Sequence, residues 1–277
     1  MVEAMTVAPA PSYTPHSHAG TASPAGHATF SVPARHNPRL QTLVERINAD
    51  EELRQLWRCA NLNAVERLGL SDHGETHVRI VANAGLRLLR LLMEAGQPAG
   101  IVQHHGLTRE DAELVVVLAA ALHDLGLAVH YDRHHELGLA LILAKARELL
   151  TGLYPARDRT ILIAEVLHAV VTHFNGLRCL TLEAGVLRIA DALDMTRGRS
   201  RGLEKALTNS VEEVTLHRGA SRPVRVQLRL TQSAGLTHIE TLLRERLRTT
   251  PLVGQIEVFA QVETAADGRL LPLRVDG

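Results

Sequence analysis

Residues 114–122 form an unbroken run of nine apolar side chains, LVVVLAAAL, that ends directly in His123 and Asp124. A helix this apolar is buried around most of its circumference. It therefore carries an imidazole and a carboxylate into the interior. An unpartnered buried polar group costs roughly 2–7 kcal/mol, and an unpaired charge far more. Whatever surrounds the end of this helix must receive both groups.

The chain of 277 residues is long enough for one large domain or two modest ones. Apolar residues make up 45% and aromatics 3%, so aliphatic ridges on helices are the expected packing. Residues 1–37 are rich in Ala, Pro, Ser, Gly, Thr and His without a period, and read as a disordered tail. From 38 to 207 the spacing is helical, with Leu40, Leu43, Val44 and Ile47 marking one buried face. Asp72 with Glu75 reads as a capping box for a helix reaching Glu94. Thr108, followed by Glu110 and Asp111, opens the apolar helix, which Gly126 ends. Asp132 caps a third helix to Leu150, Pro155 begins a fourth that stops at Asn175 and Gly176, and Thr181 opens a fifth to Met195. From 208 to 277 the period becomes two. Val224, Val226, Leu228 and Leu230 alternate with polar neighbours, and 256–262 repeats the pattern. Thr237 to Glu240 reads as a capping box for a short helix between them, and 211–216 and 270–275 as edge strands. The expected fold is mainly α, a helical bundle followed by a small α+β domain.

Thirty basic and thirty acidic residues balance, which argues against a non-specific polyanion binder. Cys59 and Cys179 lie far apart, which suits a reducing compartment and excludes a thiolate zinc site or a disulfide scaffold. No apolar run approaches the ~20 residues that span a bilayer, and no secretory signal opens the chain. A cytoplasmic protein without a membrane partner is expected, with nucleic acid a disfavoured partner that stays open.

Nine polar residues occupy helix ends or apolar helices: His73, His77, His123, Asp124, His135, His168, His173, Asp191 and Asp194. Any one of them alone reads best as a satisfied core residue; the set, spread over five helices, does not. Nitrogen and oxygen donors together suit Mn, Fe, Zn, Co or Ni rather than calcium. Bound cations would offset the burial of the carboxylates and keep them ionised.

The ordered set His77, His123-Asp124 and Asp191 resembles the HD superfamily of metal-dependent phosphohydrolases. "AALHDLG" is similar to its central motif and "RIADALD" to the segment with its last aspartate. The resemblance covers residues 70–201, and "SAGLTHIETLLRERL" resembles a C-terminal module of an archaeal and bacterial subgroup. It implies that His77, His123, Asp124 and Asp191 hold one divalent ion and that Asp124 bridges to a second. His135 in "HHELG" and His173 before "FNG" resemble the added histidines of two-metal members and are preferred over His134 and His168. Asp194, one turn past Asp191, is expected as a partner of a ligand rather than a ligand.

A metal pair lowers the pKa of a bridging water and clamps phosphoryl oxygens. The expected activity is hydrolysis of a phosphomonoester or phosphodiester, with a nucleotide foremost, by a metal-bridging hydroxide; one or two Mn, Fe, Ni, Co or Zn ions are needed. Asp124 and His73 are the expected catalytic residues. His73, four before His77 in "HGETH", is similar to the acid of cyclic-nucleotide phosphodiesterases; an exposed helix-start residue is its alternative. Arg197, Arg199 and Arg201 would form a phosphate-binding rim, with a solvated charge run as the rival. Leu127 stands where several HD subfamilies carry a basic residue, and no "GYP" follows "HFNG", which speaks against cyclic-dinucleotide hydrolysis of that type. Two other functions fit the same residues. One is a di-iron oxygenase; the other is a regulatory protein binding a ligand or nucleic acid, with Arg225 and Arg229 pointing outward. The C-terminal module is expected to pack on the helical domain or to form a homodimer contact.

Overall fold

The computed structural model describes residues 29–174, 176–196, 210–233, 235–263 and 270–275. Its helices are α1 (Pro38–Ala49), α2 (Glu51–Asn61), α3 (Glu75–Glu94), α4 (Gly100–His105), α5 (Arg109–Leu122), α6 (His134–Leu137), α7 (Leu139–Leu150), α8 (Ala156–Thr172), α9 (Leu182–Ala192) and α10 (Leu236–Leu247). The strands are β1 (Val211–Arg218), β2 (Val224–Leu230), β3 (Ile256–Val262) and β4 (Leu270–Leu273). No helix among the described residues is long and apolar enough to cross a membrane.

The apolar run occupies α5, and each of its nine residues is fully buried. Helices α3, α8, α9 and α1 pack around it. Gly85 lets α3 approach closely, since a Cβ there would come within 2.9 Å of Val116 on α5. Truncating a central leucine such as Leu118 to alanine removes ~2–5 kcal/mol.

The folded body starts earlier than the hydrophobic period indicates. Phe30 is buried and stacks on Trp57 with ring centroids 6.0 Å apart. Asn37 caps α1 by accepting from Leu40 N at 3.1 Å, and its amide donates to Glu110 O at 2.9 Å. Residues 29–37, assigned by composition to the tail, thus belong to the body. A single anchoring phenylalanine leaves no periodic trace. Residues 1–28 lie outside the described part.

Several helix starts also differ from the expected ones. Asp72 does not cap α3; its carboxylate accepts from Gly74 N at 2.8 Å in a tight turn, and α3 begins at Glu75. The third helix is broken into α6 and α7, and Arg133, not Asp132, precedes α6 with φ 56°. α10 is entered through Gly235 at φ 96° and not through Thr237. Thr108 does cap α5, in a box closed by Asp111.

The four strands lie in the order β1-β2-β3-β4. β1–β2 and β3–β4 are antiparallel; β2–β3 are parallel, with α10 as the crossover. Val224, Val226, Leu228 and Leu230 are buried in a core continuous with that of the helices. α10 packs on α9, and β1 on α3.

Candidate metal centre

Five segments deliver the polar set. His77 lies in the first turn of α3; His123 and Asp124 follow α5; His134 opens α6; His173 follows α8; Asp191 sits near the end of α9. α2, which continues into a π-helical turn over Leu62–Arg67, braces the His-Asp pair from both sides. Trp57 Nε1 donates to Ala121 O at 2.7 Å, and Asn63 Nδ2 to Leu127 O at 2.6 Å. Such π turns often mark functional sites.

Each imidazole is aimed by its outer nitrogen. Nδ1 of His123 donates to Ala120 O at 2.9 Å, that of His134 to Tyr131 O at 2.9 Å, and that of His173 to Val170 O at 2.6 Å. Nδ1 of His77 lies 2.7 Å from Asp194 Oδ2. A proton fixed on Nδ1 leaves Nε2 as a lone pair, and all four Nε2 atoms face Asp124. Asp124 Oδ2 is 3.3 Å from His123 Nε2, 3.4 Å from His77 Nε2 and 2.9 Å from His73 Nδ1. Its other oxygen, Oδ1, is 3.5 Å from His134 Nε2 and 3.9 Å from His173 Nε2. Asp191 Oδ1 is 3.4 Å from His77 Nε2 and 3.8 Å from His123 Nε2. Potential ligand atoms of His77, His123 and Asp191 lie within 4.8 Å of one another; so do those of His123, Asp124 and His173, and those of His73, His77 and Asp124.

Burial lowers the basicity of His77, but hydrogen bonds to Asp191 and Asp194 and the charge of Asp124 outweigh it and push its pKa up to about 9. Burial likewise disfavours charged His123, yet Asp124 and Asp191 raise it well above its ordinary value. Burial would raise both carboxyls; instead His123 and His73 hold Asp124 well below the usual range, and His123 and His77, with the more distant charge of Arg246, do so for Asp191. Burial and the charge of His123 drive His173 down to about 3. The carboxylates thus demand positive charge at this point, and protons serve when nothing else does.

The residues fit divalent transition ions. Nε2 of His77 and Nε2 of His123 stand 3.2 Å apart, and two lone pairs that close need a cation or a proton between them. The donors are nitrogen and carboxylate oxygen without sulfur, the set for Mn, Fe, Co, Ni or Zn.

The geometry corrects one preference and separates others. His134, not His135, faces Asp124; Nε2 of His135 lies 3.6 Å from Glu136 instead. The cause is backbone packing. The His134 carbonyl sits where a Cβ on residue 126 would be, at 1.8 Å, so Gly126 lets α6 close over the His-Asp pair in one orientation. His168 accepts from Leu180 N at 3.0 Å and takes no part in the cluster. His73 precedes α3 rather than lying one turn before His77 on it; the Asp72 turn and a bond from His73 N to Asn61 bring it in. Arg197, Arg199 and Arg201 lie outside the described residues.

The cluster forms the floor of a cavity of about 440 Å³ that also exposes Leu70, Tyr131, Phe174 and Met195. One wall comes from α10: His238, Leu242 and Arg246, none of them among the site residues expected from the sequence. Their spacing of four was the available signal. Also passed over was Arg188, a fully buried arginine on α9. It donates to the carbonyls of Thr172, Phe174 and Leu177 and to the Thr249 hydroxyl, fixing the segment that carries His173.

An HD-domain family model matches residues 75–196. An uncharacterized protein of Methanocaldococcus jannaschii is 32% identical over 229 residues, covering 80% of this chain and 88% of the relative. The family match runs from the first residue of α3 to just past Asp194 and takes in every helix that delivers His77, His123, Asp124, His173 and Asp191, so this chain belongs to the HD-domain superfamily of metal-dependent phosphohydrolases.

Proposed function

We propose that the protein hydrolyses a phosphoric ester of a small molecule, foremost a nucleotide, with two divalent ions, manganese being the first to test. The carrying observation is that Asp124 turns one oxygen to His77 and His123 and the other to His134 and His173. His77, His123, Asp191 and Asp124 would hold one ion, and Asp124, His134 and His173 the other. Bound divalent ions lower the pKa of a coordinated water and neutralise charge on a phosphoryl group. Asp194 keeps Nε2 of His77 directed inward. His73 is held by its Nδ1 on Asp124, is partly exposed to the cavity, and has Nε2 3.4 Å from Ser71 Oγ. That nitrogen is placed to give a proton to a departing alkoxide. Arg197, Arg199 and Arg201 follow Met195, a cavity-lining residue, and serve in this reading as phosphate contacts. The free cysteines suit a reducing cytoplasm.

A nucleic-acid role for the module has less support. Arg225 is paired with Glu257 at 2.8 Å, and Arg229 with Glu213 and Glu263. The test is metal analysis followed by an anaerobic panel of phosphomonoesters, phosphodiesters and nucleotides with Mn, Co, Ni, Mg or Zn. Release of phosphate or alcohol is expected. Oxygen consumption by the iron-loaded chain, with no ester hydrolysed under any metal, would replace the proposal with the oxygenase.

A further inference from the structure

The α10 wall has no role in the reading above. Arg246 stands on it at the cavity, beside the end of α8. Its guanidinium lies over the Phe174 ring, 4.9 Å from the centroid, and Nη1 donates to His173 O at 3.0 Å. Among the described residues no carboxylate forms an ion pair with it. An arginine offers five donors in a planar fork, so one carbonyl leaves most of that fork unused. Stacking on Phe174 and the bond to His173 fix the plane, which lowers the ordering cost of any ligand it takes. The C-terminal end of α10 is also tied down. Thr249 O accepts from Cys179 N at 2.9 Å, and the Thr249 hydroxyl accepts from buried Arg188. The result is a preset cation in a small cavity, its field reaching Asp191, with no carboxylate in an ion pair with it among the described residues.

We infer that Arg246 is a substrate-binding residue that takes non-bridging oxygens of the substrate's phosphoryl group, making the C-terminal module one wall of the binding site. The inference rests on the phosphohydrolase reading and adds a specific contact to it. Phosphate is the fitting ligand because a planar guanidinium meets two of its oxygens at once.

The test uses the manganese-loaded full chain and inorganic phosphate, with affinity measured by calorimetry and metal content by elemental analysis of the same samples. Arg246→Gln keeps a donor for the His173 carbonyl but loses the charge and the fork. Its phosphate affinity is expected to fall about 10- to 100-fold, with manganese content unchanged. Arg246→Lys, which keeps the charge, should lose less. Unchanged phosphate affinity in Arg246→Gln overturns the inference. So does loss of manganese from both variants, because Arg246 would then act only by holding His173. Failure of the manganese-loaded parent chain to bind phosphate would overturn the phosphohydrolase reading as well, and is distinguishable because it appears before any substitution is made.

Discussion

Helix α5 carries a buried aspartate at each end, and the two are treated in opposite ways. Asp111, in the first turn, accepts from Thr108 N and the Thr108 hydroxyl at 2.9 Å each, from Arg39 at 3.0 Å and from Tyr154 OH at 2.5 Å. The helix field there favours a negative charge. Asp124, just past the last turn, faces the end whose field opposes one. Its neighbours are imidazole nitrogens of His73, His77, His123, His134 and His173, between 2.9 and 3.9 Å. Four of those imidazoles present lone pairs, because their outer nitrogens hold the protons. At Asp111 every oxygen meets a donor and the network is closed. At Asp124 only His73 turns an Nδ1 that is free to donate; the other four nitrogens are lone pairs until a metal ion or protons complete the arrangement. A buried carboxylate marks a site when its surroundings call for further positive charge, not because it is buried.

The largest effects should separate the two ends completely. Asp124→Ala is expected to abolish metal binding and to lower ester hydrolysis by about three orders of magnitude or more. Retained metal in that variant would break the comparison at its functional end. Asp111→Ala leaves Tyr154, Thr108 and Arg39 without their acceptor and removes a cap. It should destabilise the fold by about 3 kcal/mol in denaturant melts while metal content stays that of the parent. Metal loss there, in chain that is still folded, would show that the two ends are not independent.

These two ends also differ in how they could be read from sequence. The apolar run, the pair that ends it and the change of period near residue 208 reported the helical bundle and the following α+β module directly, because burial patterns follow helix and strand repeats. His77, His123, Asp124 and Asp191 were legible because an ordered family pattern fixes their places. The choice between His134 and His135 was not. It depends on the close approach of Gly126 to the His134 carbonyl and on one left-handed residue, Arg133, which shift which neighbour turns inward. Arg246 and Arg188 were missed for a different reason. Both act across the joint between the helices and the module, and sequence spacing describes faces within an element, not which face meets another element. Phe30 was lost in a segment whose average composition hides one anchoring ring.

A smaller expected effect sharpens the geometry around Asp124 itself. His134→Ala should lower affinity for a second equivalent of manganese about 10- to 100-fold, with His135→Ala close to the parent. Titration followed by elemental analysis reads both. The reverse order would return the ligand role to His135 and show that α6 turns on metal binding.

The smallest effect compares the ends of α5 through pH. In the metal-free folded chain the His77 pKa rises from 6.5 to about 9. A raised folded pKa means that the proton favours the folded state: the contribution is complete below pH 6.5 and is lost as pH climbs through about 9. Manganese replaces that proton, so the loaded chain should not show the loss, and its apparent metal affinity should grow over the same window as protons are released. Asp111 has the opposite sign. Burial raises its carboxyl, but bonds from Tyr154 and Thr108 outweigh it and hold the pKa below 3.8, so its contribution is present above that value and fades only in acid. Thermal melts with a chelator should therefore drop by several degrees between pH 6.5 and 9. Manganese-loaded melts should stay level, and both samples should fall together below pH 4. Parallel alkaline slopes with and without manganese would mean that no ion takes the place of the proton on His77, and the Asp124 end of α5 would lose its claim to a metal.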